Sequence, residues 1–231
     1  MRPGSTKVVA CTHCRAWLRC QALDLAVRQS AEVWSDLRVR HAFWSTPVDI
    51  VACPVCRELF RRRDAVEVGV LPSSIEALDF KVNDGWRLLP RFGKARELAQ
   101  LERFMAAPLA EELPADQVEA ALATMAEGVP DDEMDLRLQQ WRHHNDLRRA
   151  EPGREWLRIE PLFLINAQRL LSLLVIGGEL QQLLAAEINR ELGQFHTAMQ
   201  CLSRVQKGYG HQKVALMSWI VEGRTELQVY Y

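Results

Sequence analysis

Apolar and polar positions alternate in the first part of the chain. Leu23, Leu25 and Val27 alternate with Asp24, Ala26 and Arg28, and Leu37, Val39, His41 and Phe43 alternate with Asp36, Arg38, Arg40 and Ala42. A period of two is the mark of a strand with one buried face, so both stretches are expected as strands. Val48, Ile50 and Val51 form a further apolar run, and residues 7–70 together predict a small antiparallel sheet. Pro72, Pro90, Pro108 and an Asn83-Asp84-Gly85 turn signal then mark residues 71–112 as an irregular connector carrying one helix near 94–106.

From Pro114 the period becomes helical. Pro114-Ala115-Asp116-Gln117 opens a helix that Gly128 and Pro130 close, and Asp131-Asp132-Glu133 place negative charge where the next helix begins. Met134, Leu138 and Trp141 form its buried stripe. Residues Leu162 to Ile176 are apolar nearly all round, which suits the centre of a helical bundle. Asn166, Gln168, Arg169 and Ser172 interrupt them and Gly177-Gly178 end them, which does not suit a membrane span. Further stripes run through Leu180, Leu183, Leu184, Ile188 and Leu192, then Phe195, Ala198, Met199, Leu202 and Val205, then Val214, Met217, Ile220 and Val221. The tail Gln228-Val229-Tyr230-Tyr231 is too short to assign. The expected organisation is a β-rich domain over 1–70, a connector over 71–112 and an α-helical region over 113–231, an α+β chain.

With 231 residues, 48% of them hydrophobic, the chain can bury a substantial core. The start, Met1-Arg2-Pro3-Gly4-Ser5-Thr6-Lys7, lacks the apolar run of a secretory signal, so a cytoplasmic location is expected. The net charge of −1 conceals an uneven distribution: residues 1–63 hold 11 Lys and Arg against 5 Asp and Glu, residues 64–150 hold 10 against 17, and residues 151–231 hold 8 of each.

Of six cysteines, four form two C-x-x-C pairs, Cys11-Thr12-His13-Cys14 and Cys53-Pro54-Val55-Cys56. Two intervening residues let both sulfurs of a pair reach one ion from a tight turn, and two such turns complete a tetrahedral four-thiolate shell suited to structural zinc. A redox C-x-x-C would call for a βαβ setting, which the flanking strand pattern does not supply. The pairs lie 38 residues apart (residues 15–52). Stretching a closed loop from roughly 18 to 38 residues costs only about 0.7 kcal/mol, against the roughly 10–16 kcal/mol that a structural zinc site contributes. His13 and Cys20 are expected in packing or surface roles, Cys201 in a core, and His143-His144, pointing about 100° apart on a helix, are not expected to share an ion. A closed shell leaves no open coordination position, and no G-x-S-x-G, phosphate loop or G-x-G-x-x-G is present, so no enzymatic activity is expected.

The paired cysteine turns resemble the zinc-ribbon family over roughly residues 8–60. That resemblance implies a structural Zn2+ held by Cys11, Cys14, Cys53 and Cys56 at the tips of short hairpins. The family commonly has Gly after the second cysteine of each turn, where this chain has Arg15 and Arg57. With four thiolates around a divalent ion, the first segment would retain about +4. Arg61-Arg62-Arg63 with Arg38, Arg40 and Arg57 could give the ribbon a basic edge, but aromatic residues are not interleaved with them, so any nucleic-acid binding is expected to be weak and lost near physiological salt.

In the helical half, Gly193, Phe195, Ala198 and Leu202 fall in the order G-x-aromatic-x-x-A-x-x-x-L, similar to the turn and second helix of a tetratricopeptide repeat. Thirty-four residues earlier, Ile159, Pro161, Leu164 and Gln168 break the pattern, so one hairpin over roughly 179–206 is expected and not an array. As a whole the chain resembles uncharacterised bacterial proteins that join a ribbon-type zinc knuckle to repeat-like C-terminal helices. The resemblance implies interaction modules, with a protein partner on the helical region.

Overall fold

The computed structural model describes residues 6–20, 32–40, 48–71, 91–124, 130–150, 161–175, 177–206 and 208–230. The strand expected at Leu23–Val27, the ends of the second one at His41 and Phe43, the Asn83-Asp84-Gly85 turn and the Gly128 stop lie outside them. The α+β architecture is as expected: among the described residues, short antiparallel strands come first and seven helices after. The chain divides into two compact units, one of residues 1–31 and 46–113, the other of 32–45 and 114–231.

In the first unit, β1 (Thr6–Ala10) pairs antiparallel with β2 (Trp17–Cys20) and with β7 (Val66–Leu71). A second ladder joins β5 (Ile50–Ala52) to β6 (Leu59–Arg61). Helix α1 (Arg91–Ala106) lays Phe104 on the first sheet, against Trp17 at a ring distance of 5.4 Å and directly over Gly69. A Cβ at Gly69 would lie 2.5 Å from the Phe104 ring, so the absence of a side chain there permits the approach. Residues 107–111 then tie the two ladders together. The Arg19 amide donates to the Pro108 carbonyl (2.8 Å) and the Ala52 amide to the Glu111 carbonyl (3.0 Å). The core of Val9, Leu18, Cys20, Val48, Val51 and Phe60 also contains Cys11 and Cys53, so the cysteine turns grow directly out of the packed interior.

The second unit holds helices α2 (Ala115–Thr124), α3 (Pro130–Ala150), α4 (Pro161–Leu174), α5 (Glu179–Glu191), α6 (Phe195–Ser203) and α7 (Gly210–Val221). It also contains a small sheet in which β3 (Glu32–Trp34) lies between β4 (Val39–Arg40) and β8 (Val229–Tyr230). The continuous strand expected over 36–43 is corrected here. Residues 35–38 form the turn between β3 and β4, the Asp36 carboxylate accepts from the Arg38 amide at 3.1 Å, and Leu37 sits at φ 58°. The alternation over Asp36–Arg38 arises because Leu37 turns inward onto the helical cores, without a pleat.

A second correction concerns the buried helix. α4, expected at the bundle centre, exposes Leu162 and Ile165 and buries one stripe through Phe163, Ala167, Leu170 and Leu174. α5 is instead buried along its last ten residues, Gln182–Glu191, including Glu187, Arg190 and Glu191. The charges are accommodated because they are paired. Arg190 bonds both Glu187 carboxylate oxygens at 2.6 and 2.7 Å and the Arg224 carbonyl at 2.6 Å. Glu191 accepts from the Trp141 indole (3.0 Å) and Asn145 (3.2 Å) and faces Arg148 at 3.1 Å. Asn145 reaches on to Asp36, which pairs with Arg149, while Arg38 pairs with Asp146 at 3.2 Å. Burial pushes the Glu191 carboxyl up to about 7, against the pull of Arg148. The turn from the insert thus reaches the helices through charge, and Tyr230 closes the sheet by donating to the Ser35 carbonyl at 3.4 Å.

Glu133 makes the opposite case. Arg169 bonds it at 2.6 and 2.8 Å and Arg137 at 2.7 Å, joining α3 to α4. The Arg169 bonds lead, with Arg137 adding to them, in lowering its carboxyl to about 2. A carboxylate with a depressed folded-state value stabilises above its unfolded value, about 4.3, and loses that contribution as pH falls through about 2. Urea melts of wild type and Glu133→Gln should therefore differ by about 1 kcal/mol at neutral pH, after allowance for solvent screening, and converge near pH 2. A difference unchanged with pH would show the clamp to be inert.

Candidate metal centre

The two cysteine turns have the same backbone construction. In the first, the Arg15 amide donates to the Cys11 carbonyl (3.1 Å) and the Cys11 amide to the Ala16 carbonyl (2.9 Å). In the second, the Arg57 amide donates to the Cys53 carbonyl (2.8 Å) and the Cys53 amide to the Glu58 carbonyl (3.0 Å). The residue after the second cysteine is left-handed in both, Arg15 at φ 62° and Arg57 at φ 66°. These are the positions where Gly was expected, and a non-Gly residue there costs on the order of 1 kcal/mol. The chain bears that strain twice to fold both pairs back toward one point.

That point is a cluster in which all four Sγ atoms lie within 4.8 Å of one another. The closest approaches cross between the turns, Cys11 to Cys56 at 3.8 Å and Cys14 to Cys53 at 3.7 Å. A disulfide needs about 2.05 Å, and all four are free thiols. A tetrahedral shell with metal–sulfur bonds of about 2.3 Å places its sulfurs about 3.8 Å apart, so the observed edges fit four ligands around one ion. Burial raises the Cys11 thiol, but amide donors from Cys14 and His13 and the neighbouring thiols outweigh it and bring Cys11 down to about 7. At Cys56 the Glu58 amide lowers the thiol, yet burial and the three other thiols push it up to about 12. One thiolate forms readily while the last resists, a conflict that a divalent cation at the centre resolves.

The residues beside the cluster fall where the sequence suggested. His13 points away, with Nε2 at 3.1 Å from the Leu59 carbonyl. Cys20 is in the core and Cys201 packs between helices, and His144 contacts the Gln140 carbonyl (2.8 Å) and the edge of Phe163. Of the arginines expected on a basic edge, Arg38 departs from the reading. Arg38 is buried in the other unit beside Asp146, and Arg63 is held by Asp49 at 3.1 Å.

α5 and α6 form a helical hairpin. Gly193 at φ 72° follows α5, its amide donates to the Arg190 carbonyl and that of Gln194 to the Asn189 carbonyl, the paired bonds of a left-handed helix cap. Ala198 is fully buried and Leu202 nearly so, both packed with Leu183 and Ala186 of α5.

Comparison with known proteins finds no matching family, no similar curated protein and no similar solved structure. Among the described residues, no helix is long and apolar enough to cross a membrane.

Proposed function

We propose that this chain is a non-enzymatic interaction or scaffold protein whose N-terminal unit is held by one structural zinc on Cys11, Cys14, Cys53 and Cys56, and whose helical unit carries the surface for a protein partner. The observation that carries the reading is the four-thiol cluster at tetrahedral spacing. Cysteine sulfur selects zinc among the common divalent ions of a reducing compartment, and a complete thiolate shell has no position for water or substrate. The metal's role is then to supply folding energy. The tetratricopeptide-like pattern at Gly193, Phe195, Ala198 and Leu202 supports the helical unit as the binding element, as do the exposed apolar positions Leu162 and Ile165 on α4.

Ala198→Leu tests the division of labour. The larger side chain has no room at a fully buried position and should overpack the hairpin at a cost of roughly 1–3 kcal/mol. Expected are a lower melting temperature, loss of the proteins that wild type captures from native lysate, and unchanged metal content. A thermally neutral Ala198→Leu, or capture retained when the chain is truncated after Gly128, would move the binding surface away from these helices.

A further inference from the structure

The Arg61-Arg62-Arg63 run plays no part in the thiol cluster, yet two of its members line a cavity in the same unit. The cavity has a volume of about 320 Å³ and is lined by Lys7, Val9, Cys20, Val48, Asp49, Arg62 and Arg63. Lys7 and Cys20 are register partners at the end of the β1–β2 ladder remote from the cysteine turn at Cys11–Cys14, so this is a different site from the metal centre.

We propose that this cavity binds a small phosphomonoester, with the phosphate between Lys7, Arg62 and Arg63 and a compact organic body against Val9, Val48 and Cys20. Three cationic side chains face Asp49 in the lining and Glu67 beside Lys7, a formal excess of one positive charge. The N–H donors of three side chains, more than the net charge, suit the three terminal oxygens of a phosphate better than the two of a carboxylate. The cations are positioned before any ligand arrives. Arg62 donates from Nη1 to the Val48 carbonyl (3.3 Å), Asp49 holds both the Arg63 amide (3.2 Å) and its Nε (3.1 Å), and Glu67 steadies Lys7 at 2.7 Å. With its Nε engaged, Arg63 still carries four N–H donors on its terminal nitrogens, the fork that suits phosphate oxygens. The floor is apolar and uncharged, since burial raises the Cys20 thiol despite the nearby Arg62. Ligand cavities span about 300–1,000 Å³, and this volume, at the low end, seats one small molecule and not a polymer.

Titration calorimetry of the purified full chain at low salt tests this with ribose 5-phosphate, inorganic phosphate and ribose as probes. Ribose 5-phosphate should bind with a dissociation constant at or below about 1 mM, inorganic phosphate more weakly because it leaves the apolar floor uncovered, and ribose not at all. Arg62→Gln and Arg63→Gln should each weaken ribose 5-phosphate about tenfold or more. Lys7→Gln, at an exposed side chain whose loss leaves the fold intact, should weaken it several-fold. Lys213→Gln, on α7 in the other unit and outside the cavity, should leave it unchanged. The proposal is overturned if ribose 5-phosphate does not bind, if ribose binds equally well, if Lys7→Gln and Arg63→Gln both bind like wild type, or if Lys213→Gln weakens binding as much as Arg62→Gln does.

Discussion

Cys53→Ser is expected to unfold the N-terminal unit while the helices of the second unit persist. Cys53 is fully buried, its amide closes the second turn on Glu58, and its sulfur packs in the same core as Leu18, Val51 and Phe60. Removing it would leave three sulfurs and an open corner in the proposed metal shell. A complete structural zinc site contributes roughly 10–16 kcal/mol, while whole domains are stable by only about 5–15 kcal/mol. Losing most of that contribution should leave the small sheets without net stability. Tryptophan fluorescence should change as Trp17 loses its packing on Phe104, and helical circular dichroism should fall only by the share of α1, which belongs to this unit. A zinc chelator applied to wild type should give the same result. If Cys53→Ser melts like wild type with Trp17 still shielded, the thiols are ordinary core residues.

The second large effect belongs to the helical unit. Glu187→Gln leaves Arg190, with no exposed surface, without its paired carboxylate, keeping the Arg224 carbonyl, the Trp219 ring and the nearby charge of Glu191. Removing one partner of a buried ion pair typically costs about 3–5 kcal/mol, so urea denaturation should show a loss of up to that order. The double variant Glu187→Gln with Arg190→Met should recover much of it, because both charges are then gone. Equal losses in the single and double variants would show that Arg190 draws its stabilisation from packing and not from Glu187.

These two units were unequally legible in the sequence. The cysteine turns were readable because ligand spacing is a local property, and even the left-handed positions at Arg15 and Arg57 could be placed by comparison with a ribbon. Helix positions in the second half followed from apolar spacing and from Pro114, Gly177 and Gly193. The interior of that half was not readable. Amphipathic reasoning assigns Glu187, Arg190 and Glu191 to solvent, and they are buried because their partners are supplied by α3, by the Asp36 turn and by the segment around Arg224. No local pattern marks such pairings. The tail was missed for the same reason, since Val229–Tyr230 becomes a strand only by pairing with Val33 and Trp34 nearly two hundred residues earlier. A local signal was available at Ser35-Asp36, two turn-forming residues, and it was overridden by the alternation around it.

The central claim is that four thiols surround one zinc. Native mass spectrometry with elemental analysis of protein purified under reducing conditions tests it most directly. One zinc per wild-type chain and none in Cys53→Ser is the expected result. Wild type without stoichiometric metal, or Cys53→Ser retaining its zinc, would contradict it.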